Sequence, residues 1–144
     1  MPTVQTVLAK KGGQVVSAGV DDSVLRAAAL MNDRGIGGLV VLDGDRVAGI
    51  FTERDILRRV VAVGRDPAKT QVREVMTSPV AFCRRETTLA ECRYVMTERR
   101  IRHLPVVDEH GVCGIVTIGD LMAHEATEHQ ATIQYLHEYI FGVR

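Results

Sequence analysis

The chain has 144 residues and a mass of 15.8 kDa, room for one compact domain or for two intertwined halves of about 65 residues. Lys plus Arg is 18 and Asp plus Glu is 18, so the formal charge is zero, which argues against a dedicated nucleic-acid binder with its usual basic excess. An apolar fraction of 46% excludes a disordered chain, and 4% aromatics without Trp leave a Val, Ile, Leu and Ala core with few platforms for stacking bases.

No apolar run nears the length of about 18 residues that would span a membrane. The opening MPTVQTVLAKKGG lacks the apolar core of a signal peptide. The cysteines, Cys83, Cys92 and Cys113, are odd in number and form no C-x-x-C. Free thiols in a reducing compartment, the cytoplasm, are expected. No close Cys or His pair has the spacing of structural zinc, so no metal site is expected.

In chain order, a short strand is predicted over Val15–Ala18, then a helix over Val24–Arg34 that Gly35 ends. Two strands follow in LVVLDGDRVAGIF, turned at Asp43-Gly44. A helix over Glu53–Val63 stops at Gly64. Residues 65–79, with Pro67 and Pro79, read as a connection. The series then recurs: a strand over Val80–Cys83, and a helix over Leu89–Arg99 opened by a Thr88–Glu91 capping box. The hairpin LPVVDEHGVCGIV and a helix over Ile118–Ala126 complete it. A last helix, about His129–Ile140 within a unit at 127–142, carries Ile133, Leu136 and Ile140 as an apolar stripe. The stripe suits a fold-back onto the core or a dimer contact equally. His124, His129 and His137 share no helical face and read as exposed.

The order β-α-β-β-α occurs twice because the chain repeats at a shift of 65. Met31, Arg34, Ile36, Leu39, Val41, Asp43, Val47, Gly49, Ile50, Thr52 and Asp55 meet Met96, Arg99, Ile101, Leu104, Val106, Asp108, Val112, Gly114, Ile115, Thr117 and Asp120. Two copies are too few for a solenoid, which needs about three; two half-domains packed face to face are expected.

The sharpest motif is GIFTERD (Gly49 to Asp55), repeated as GIVTIGD (Gly114 to Asp120). A strand ends, a Thr follows, and an Asp sits three residues on as a helix begins. A plain helix cap worth about 1 kcal/mol accounts for one such motif. A second use is compatible with it. The helix start attracts phosphate, and an ionised Asp can accept from both hydroxyls of a ribose.

The two motifs, IRHLPVVD (Ile101 to Asp108), the link VREVMTSPV (Val72 to Val80) and the element order resemble a pair of CBS domains (the cystathionine β-synthase type), the tandem called a Bateman module. The resemblance covers about residues 5–126, and the ending TIQYLHEYIFG is similar to the tails of small stand-alone CBS-pair proteins. It implies an α+β fold of two repeats, 5–64 and 80–126, packed with pseudo-twofold symmetry, plus the C-terminal helix. It implies two clefts for adenosyl ligands: AMP, ADP, ATP or NAD(H), with S-adenosylmethionine a lesser alternative. The first would use Ile50, Thr52, Arg54, Asp55, Val80, Ala81, Ile101, Arg102, His103 and Pro105. The second would use Val15, Val16, Ile36, Gly37, Gly38, Ile115, Thr117, Gly119 and Asp120. It also implies a homodimer and a regulated protein partner in trans, with no nucleic acid and no membrane.

The clefts are expected to differ. Arg54, Arg102 and His103 stand near Asp55, whereas Gly119, Gly37 and Gly38 are their counterparts near Asp120. The first cleft should therefore prefer a phosphate-bearing nucleotide. Arg99, Arg100 and Arg102 also suit a solvated basic turn. A dinucleotide-fold reading of RGIGGLVV fails, because these glycines follow a helix and open a strand. No nucleophile, base and orienting group share a recognisable spacing, so no enzyme is expected. The competing reading is a dimerisation module whose motifs serve only as caps.

Overall fold

A computed structural model of the protein describes residues 1–128. The C-terminal helix expected over His129–Ile140 lies outside the described residues. Among the described residues, no helix is long and apolar enough to cross a membrane.

The first element is helix α1 (Val4–Lys11), which the reading above missed. Its signals are local: Val4, Val7 and Leu8 fall at helical spacing and are buried. Thr3 N–H donates to Thr6 Oγ1 at 3.3 Å, and Gly12, at φ 87°, ends the helix by donating its N–H to Leu8 O.

The first copy follows as β1 (Ser17–Gly19), α2 (Val24–Arg34), β2 (Gly38–Asp43), β3 (Arg46–Thr52) and α3 (Glu53–Asp55). Ser23 Oγ caps α2 by accepting from Arg26 N–H, and Gly35 closes it at φ 63°. Strand β1 pairs parallel with β2, and β2 antiparallel with β3. Strand β1 is shorter than expected and begins two residues later. The helix expected over Glu53–Val63 is one α-turn followed by a wider π-helical stretch, Ile56–Val61, in which Ala62 N–H reaches back to Leu57 O. Such widened turns change which side chains share a face and recur at functional sites.

A short helix, α4 (Val72–Val75), stands inside the segment 65–79 expected to be a plain connection. The second copy then supplies α5 (Leu89–Arg99), β4 (His103–Asp108), β5 (Gly111–Thr117) and α6 (Ile118–Glu128). Thr88 Oγ1 accepts from Glu91 N–H, one half of the expected capping box. The strand expected over Val80–Cys83 is reduced to a single parallel bridge, Cys83 to Val106, so this sheet has two strands. Within 80–83 the backbone bonds to β4 are made by Cys83 alone, whose N–H donates to Pro105 O and whose carbonyl accepts from Val107 N–H, because Val80 and Ala81 line a cleft instead. Upstream, Thr77 pairs with Ile50 of the first copy.

The two copies exchange their leading segments. Val4, Val7 and Leu8 of α1 sit in the second copy's core with Leu89, Cys92, Met96, Leu104 and Val116. Val72 and Val75 of α4 sit in the first copy's core with Val24, Met31, Leu39 and Phe51. The backbone repeats the swap: Leu89 N–H donates to Pro2 O, and Val24 N–H to Thr70 O. Each fully buried aliphatic side chain contributes about 1.5–3 kcal/mol, so neither core is complete without the other copy's segment. Gly38 and His103, equivalent at a shift of 65, meet between the copies: a Cβ on Gly38 would lie 3.0 Å from His103 Nε2. Contact between equivalent residues places a pseudo-twofold axis there.

Each exchanged segment crosses a glycine of the hairpin it covers. A Cβ on Gly49 would lie 2.7 Å from the backbone oxygen of Thr77, whereas one on Gly114 would lie 2.7 Å from the Leu8 Cδ2 methyl. Backbone cannot yield, but the end of a leucine can. Gly49→Ala is therefore expected to destabilise the protein by about 1–3 kcal/mol and Gly114→Ala by clearly less, as read by urea unfolding.

Candidate functional site

The two Thr-x-x-Asp motifs do form caps. Thr52 N–H donates to Asp55 Oδ2 at 3.0 Å, and Asp55 N–H returns to Thr52 Oγ1 at 3.4 Å. Thr117 and Asp120 repeat the arrangement at 2.9 and 3.2 Å. Asp55 is only 5% exposed, and a buried carboxylate needs several donors. The Thr52 hydroxyl adds one, and the Thr77 hydroxyl donates to Oδ1 at 3.0 Å. Arg59 Nε stands 3.8 Å from the same oxygen.

Asp55 lies at the floor of a cleft of about 720 Å³, a volume suited to a nucleotide-sized molecule. Nine of the ten residues expected at the first cleft line it: Ile50, Thr52, Arg54, Asp55, Val80, Ala81, Ile101, Arg102 and His103. Pro105 does not. It lies deeper along β4, buried, with its carbonyl accepting from Cys83 N–H at 2.9 Å. Gly37, expected at the second cleft, lines the first, because its carbonyl accepts from Glu53 N–H where α3 begins. A Cβ there would fall 2.6 Å from Glu53 Oε1.

The lining also holds residues that were not among those expected there: Glu53, Arg58, Arg59, Thr77, Pro79, Arg99 and Arg100. The wide turn Ile56–Val61 explains two of them, since Arg58 and Arg59 both reach the cleft. Arg59 is spent on structure, donating to Met76 O at 2.8 Å. Arg54 Nη1 donates to Arg100 O at 3.3 Å and ties α3 to the turn after α5. Among the described residues, Arg58, Arg99 and Arg102 make no side-chain hydrogen bond or ion pair, so their donors are free. Six arginines thus face two carboxylates, Glu53 and Asp55. In a chain of zero net charge this is a local excess of cation suited to phosphate.

Arg100 marks the same point in the backbone. It ends α5 in the left-handed region, at φ 54° and ψ 45°, where its counterpart in the first copy is Gly35. A side chain there costs about 1–2 kcal/mol, and strain of this kind clusters at binding sites.

The residues expected around Asp120 are arranged differently. Ile36 packs on the first copy's core. Gly38 abuts His103, and Val16 O accepts from Val40 N–H. Val15 is half-buried in the approach to β1. Ile115, Thr117, Gly119 and Asp120 form the hairpin end and helix start. What meets Asp120 is Lys11, whose Nζ lies 2.8 Å from Oδ2 and also donates to Ile115 O at 2.9 Å.

Burial holds the His103 imidazole below its ordinary value; Arg102 and Lys11 push the same way, against Glu53 and Asp120. The Cys83 thiol is pushed up by a hydrogen bond with Cys92 and by burial. Both thiols belong to the second core. Among the described residues, no three His, Cys, Asp or Glu side chains gather to hold a metal.

A family model described as the CBS domain matches residues 9–62 and 72–126. A mitochondrial CBS domain-containing protein of Arabidopsis thaliana, CBSX3, is 35% identical over 149 aligned positions, covering 97% of this chain and 72% of that protein. A solved protein with CBS domains from Burkholderia ambifaria superposes with a TM-score of 0.84 at 41% identity, covering 87% of this chain and 94% of that one. A hexameric CBS-CP12 protein from bloom-forming cyanobacteria gives 0.75 at 27%, covering 85% and 70%.

Two outcomes follow. Arg100→Gly should raise stability by about 1 kcal/mol in denaturant unfolding, by removing the left-handed side chain. Because His103 binds its proton less readily folded than unfolded, its contribution is intact above pH about 6.5 and is lost as pH falls and the unfolded chain takes up the proton. Melting temperature should therefore drop less between pH 7.5 and pH 5.5 in His103→Gln than in the parent; an equal drop would refute this.

Proposed function

Since this chain belongs to the CBS domain family, as a tandem pair, we propose that it is a non-catalytic regulatory module that binds a phosphate-bearing adenine nucleotide in the Asp55 cleft. Proteins of this stand-alone kind are generally regulatory, and CBS domains in general bind adenosyl ligands. The observation that carries the reading here is the arginine set over a buried, capped carboxylate in one cleft of about 720 Å³. Asp55 and Thr52 are proposed to hold the ribose hydroxyls. Val80, Ala81 and Ile101 supply apolar surface for the base, and Arg58, Arg99 and Arg102 supply donors for the phosphates. AMP, ADP and ATP fit this chemistry, and NAD(H) carries the same pyrophosphate. S-adenosylmethionine fits less well, because its sulfonium would bring a further positive charge among the arginines.

The nucleotide state would be passed to a protein partner in trans, through contacts that differ between the bound and free forms. A homodimer is part of the proposal. Leu57 and Met122, equivalent at a shift of 65, are 61% exposed each, and Val61 lies beside Leu57. These residues mark an apolar helical face suited to a second copy. The cyanobacterial neighbour is itself oligomeric. The free cysteines suit the cytoplasm. That exposed face also suits the competing reading, a dimerisation module that takes no ligand, which the following measurement separates.

In a thermal-shift panel of AMP, ADP, ATP, NAD and S-adenosylmethionine, a phosphate-bearing ligand at 100 times its Kd should stabilise the protein by about 2.7 kcal/mol. Asp55→Asn, which keeps the shape of the cap, should weaken that ligand roughly ten- to hundredfold by calorimetry, the worth of hydrogen bonds to a charged group. No shift with any of the five would refute nucleotide binding and leave the dimerisation reading.

A further inference from the structure

The two Thr-x-x-Asp sites are served by equivalent stretches of the exchanged segments, and the chemistry delivered differs. At the first site, Thr77 does two things: its N–H donates to Ile50 O at 2.8 Å, and its hydroxyl donates to Asp55 Oδ1 at 3.0 Å. At the second, one ammonium takes the equivalent carbonyl and the motif carboxylate, the latter on Oδ2, the oxygen that also accepts the capping Thr117 N–H. Lys11 Nζ donates to Ile115 O at 2.9 Å and to Asp120 Oδ2 at 2.8 Å. A hydroxyl is neutral and can rotate toward an incoming oxygen. An ammonium pairs with the carboxylate and consumes the negative charge that would draw a pair of ribose hydroxyls.

From this we propose that Lys11 is a built-in occupant of the Asp120 site and the residue that limits the chain to one nucleotide, held at Asp55. The inference rests on the nucleotide reading of the first cleft. The lysine is held on a fixed element, because α1 buries Val4, Val7 and Leu8 in the second core. Its side chain and that of Asp120 are only 31% and 21% exposed, so water screens the pair incompletely. The rim confirms the difference in kind. At a shift of 65, Arg54, Arg58, Arg100 and Arg102 become Gly119, Ala123, Gly35 and Gly37, Arg59 becomes His124, and of the six only Arg99 stays an arginine, as Arg34. With Lys11 withdrawn, the second site is left with its carboxylate and little cation, which suits an uncharged nucleoside rather than a polyphosphate.

Calorimetry with AMP and with adenosine tests this on the parent, Lys11→Met, Lys11→Arg, Asp55→Asn and the Lys11→Met/Asp55→Asn double variant. Met keeps the stem and loses the charge, and Arg keeps the charge, so folding and occupancy are separated; melting curves check that each variant is folded. The parent and Lys11→Arg should bind one AMP per chain, weakened at least tenfold by Asp55→Asn. The double variant should gain one adenosine site, lost again on adding Asp120→Ala. Two sites in the parent, or no adenosine site in the folded double variant, would overturn the role of Lys11 while AMP binding at Asp55 still stood. An adenosine site in Lys11→Met with no AMP binding in the parent would uphold Lys11 and overturn the Asp55 reading. No binding by any protein would overturn both.

Discussion

The reciprocal exchange of leading segments is the constraint on which the rest of the structure depends. Helix α1 opens the chain yet completes the second copy's core, and α4 opens the second copy yet completes the first. Two halves of about 65 residues each bury too little surface to be secure alone. Exchange makes one cooperative unit of them. It also decides what stands at each site, because Thr77 and Lys11 ride on the segments that are traded.

The site is built on stability devices rather than beside them. Asp55 caps α3 and is buried with its oxygens already accepting from Thr52 and Thr77. A ligand would meet a carboxylate whose position is set before it arrives, so little ordering has to occur on binding. The arginines are the opposite case. Arg100 sits in a backbone region that favours glycine, and Arg58, Arg99 and Arg102 spend no donors on the described fold. Residues that break a local preference without an internal return are those expected to serve a function.

Asymmetry between the two halves follows from particular substitutions. The motif Thr and Asp are kept in both copies, as are the hairpin register and its bulge. The changes fall on the rim and on the incoming segment. There a single lysine offsets the charge of the motif carboxylate without disturbing the sheet. His103, at the pseudo-twofold axis, feels both sites, since Glu53 of one and Lys11 and Asp120 of the other act on its imidazole.

The repeat, the helices at Val24–Arg34 and Leu89–Arg99, both hairpins and the capping role of the two motifs were legible in the residues alone. They depend on neighbours three or four positions apart, on turn chemistry and on strand alternation, all of which are local. What could not be read locally was decided by packing across the chain. Thr77 was drawn to Ile50 of the other copy, the second sheet kept only a bridge at Cys83, Gly37 joined the first cleft, the wide turn brought Arg58 and Arg59 to it, and Lys11 crossed 109 positions of sequence to reach Asp120. A lysine at the end of a short helix has no local reason to seek one carboxylate; only the traded segments bring the two within reach.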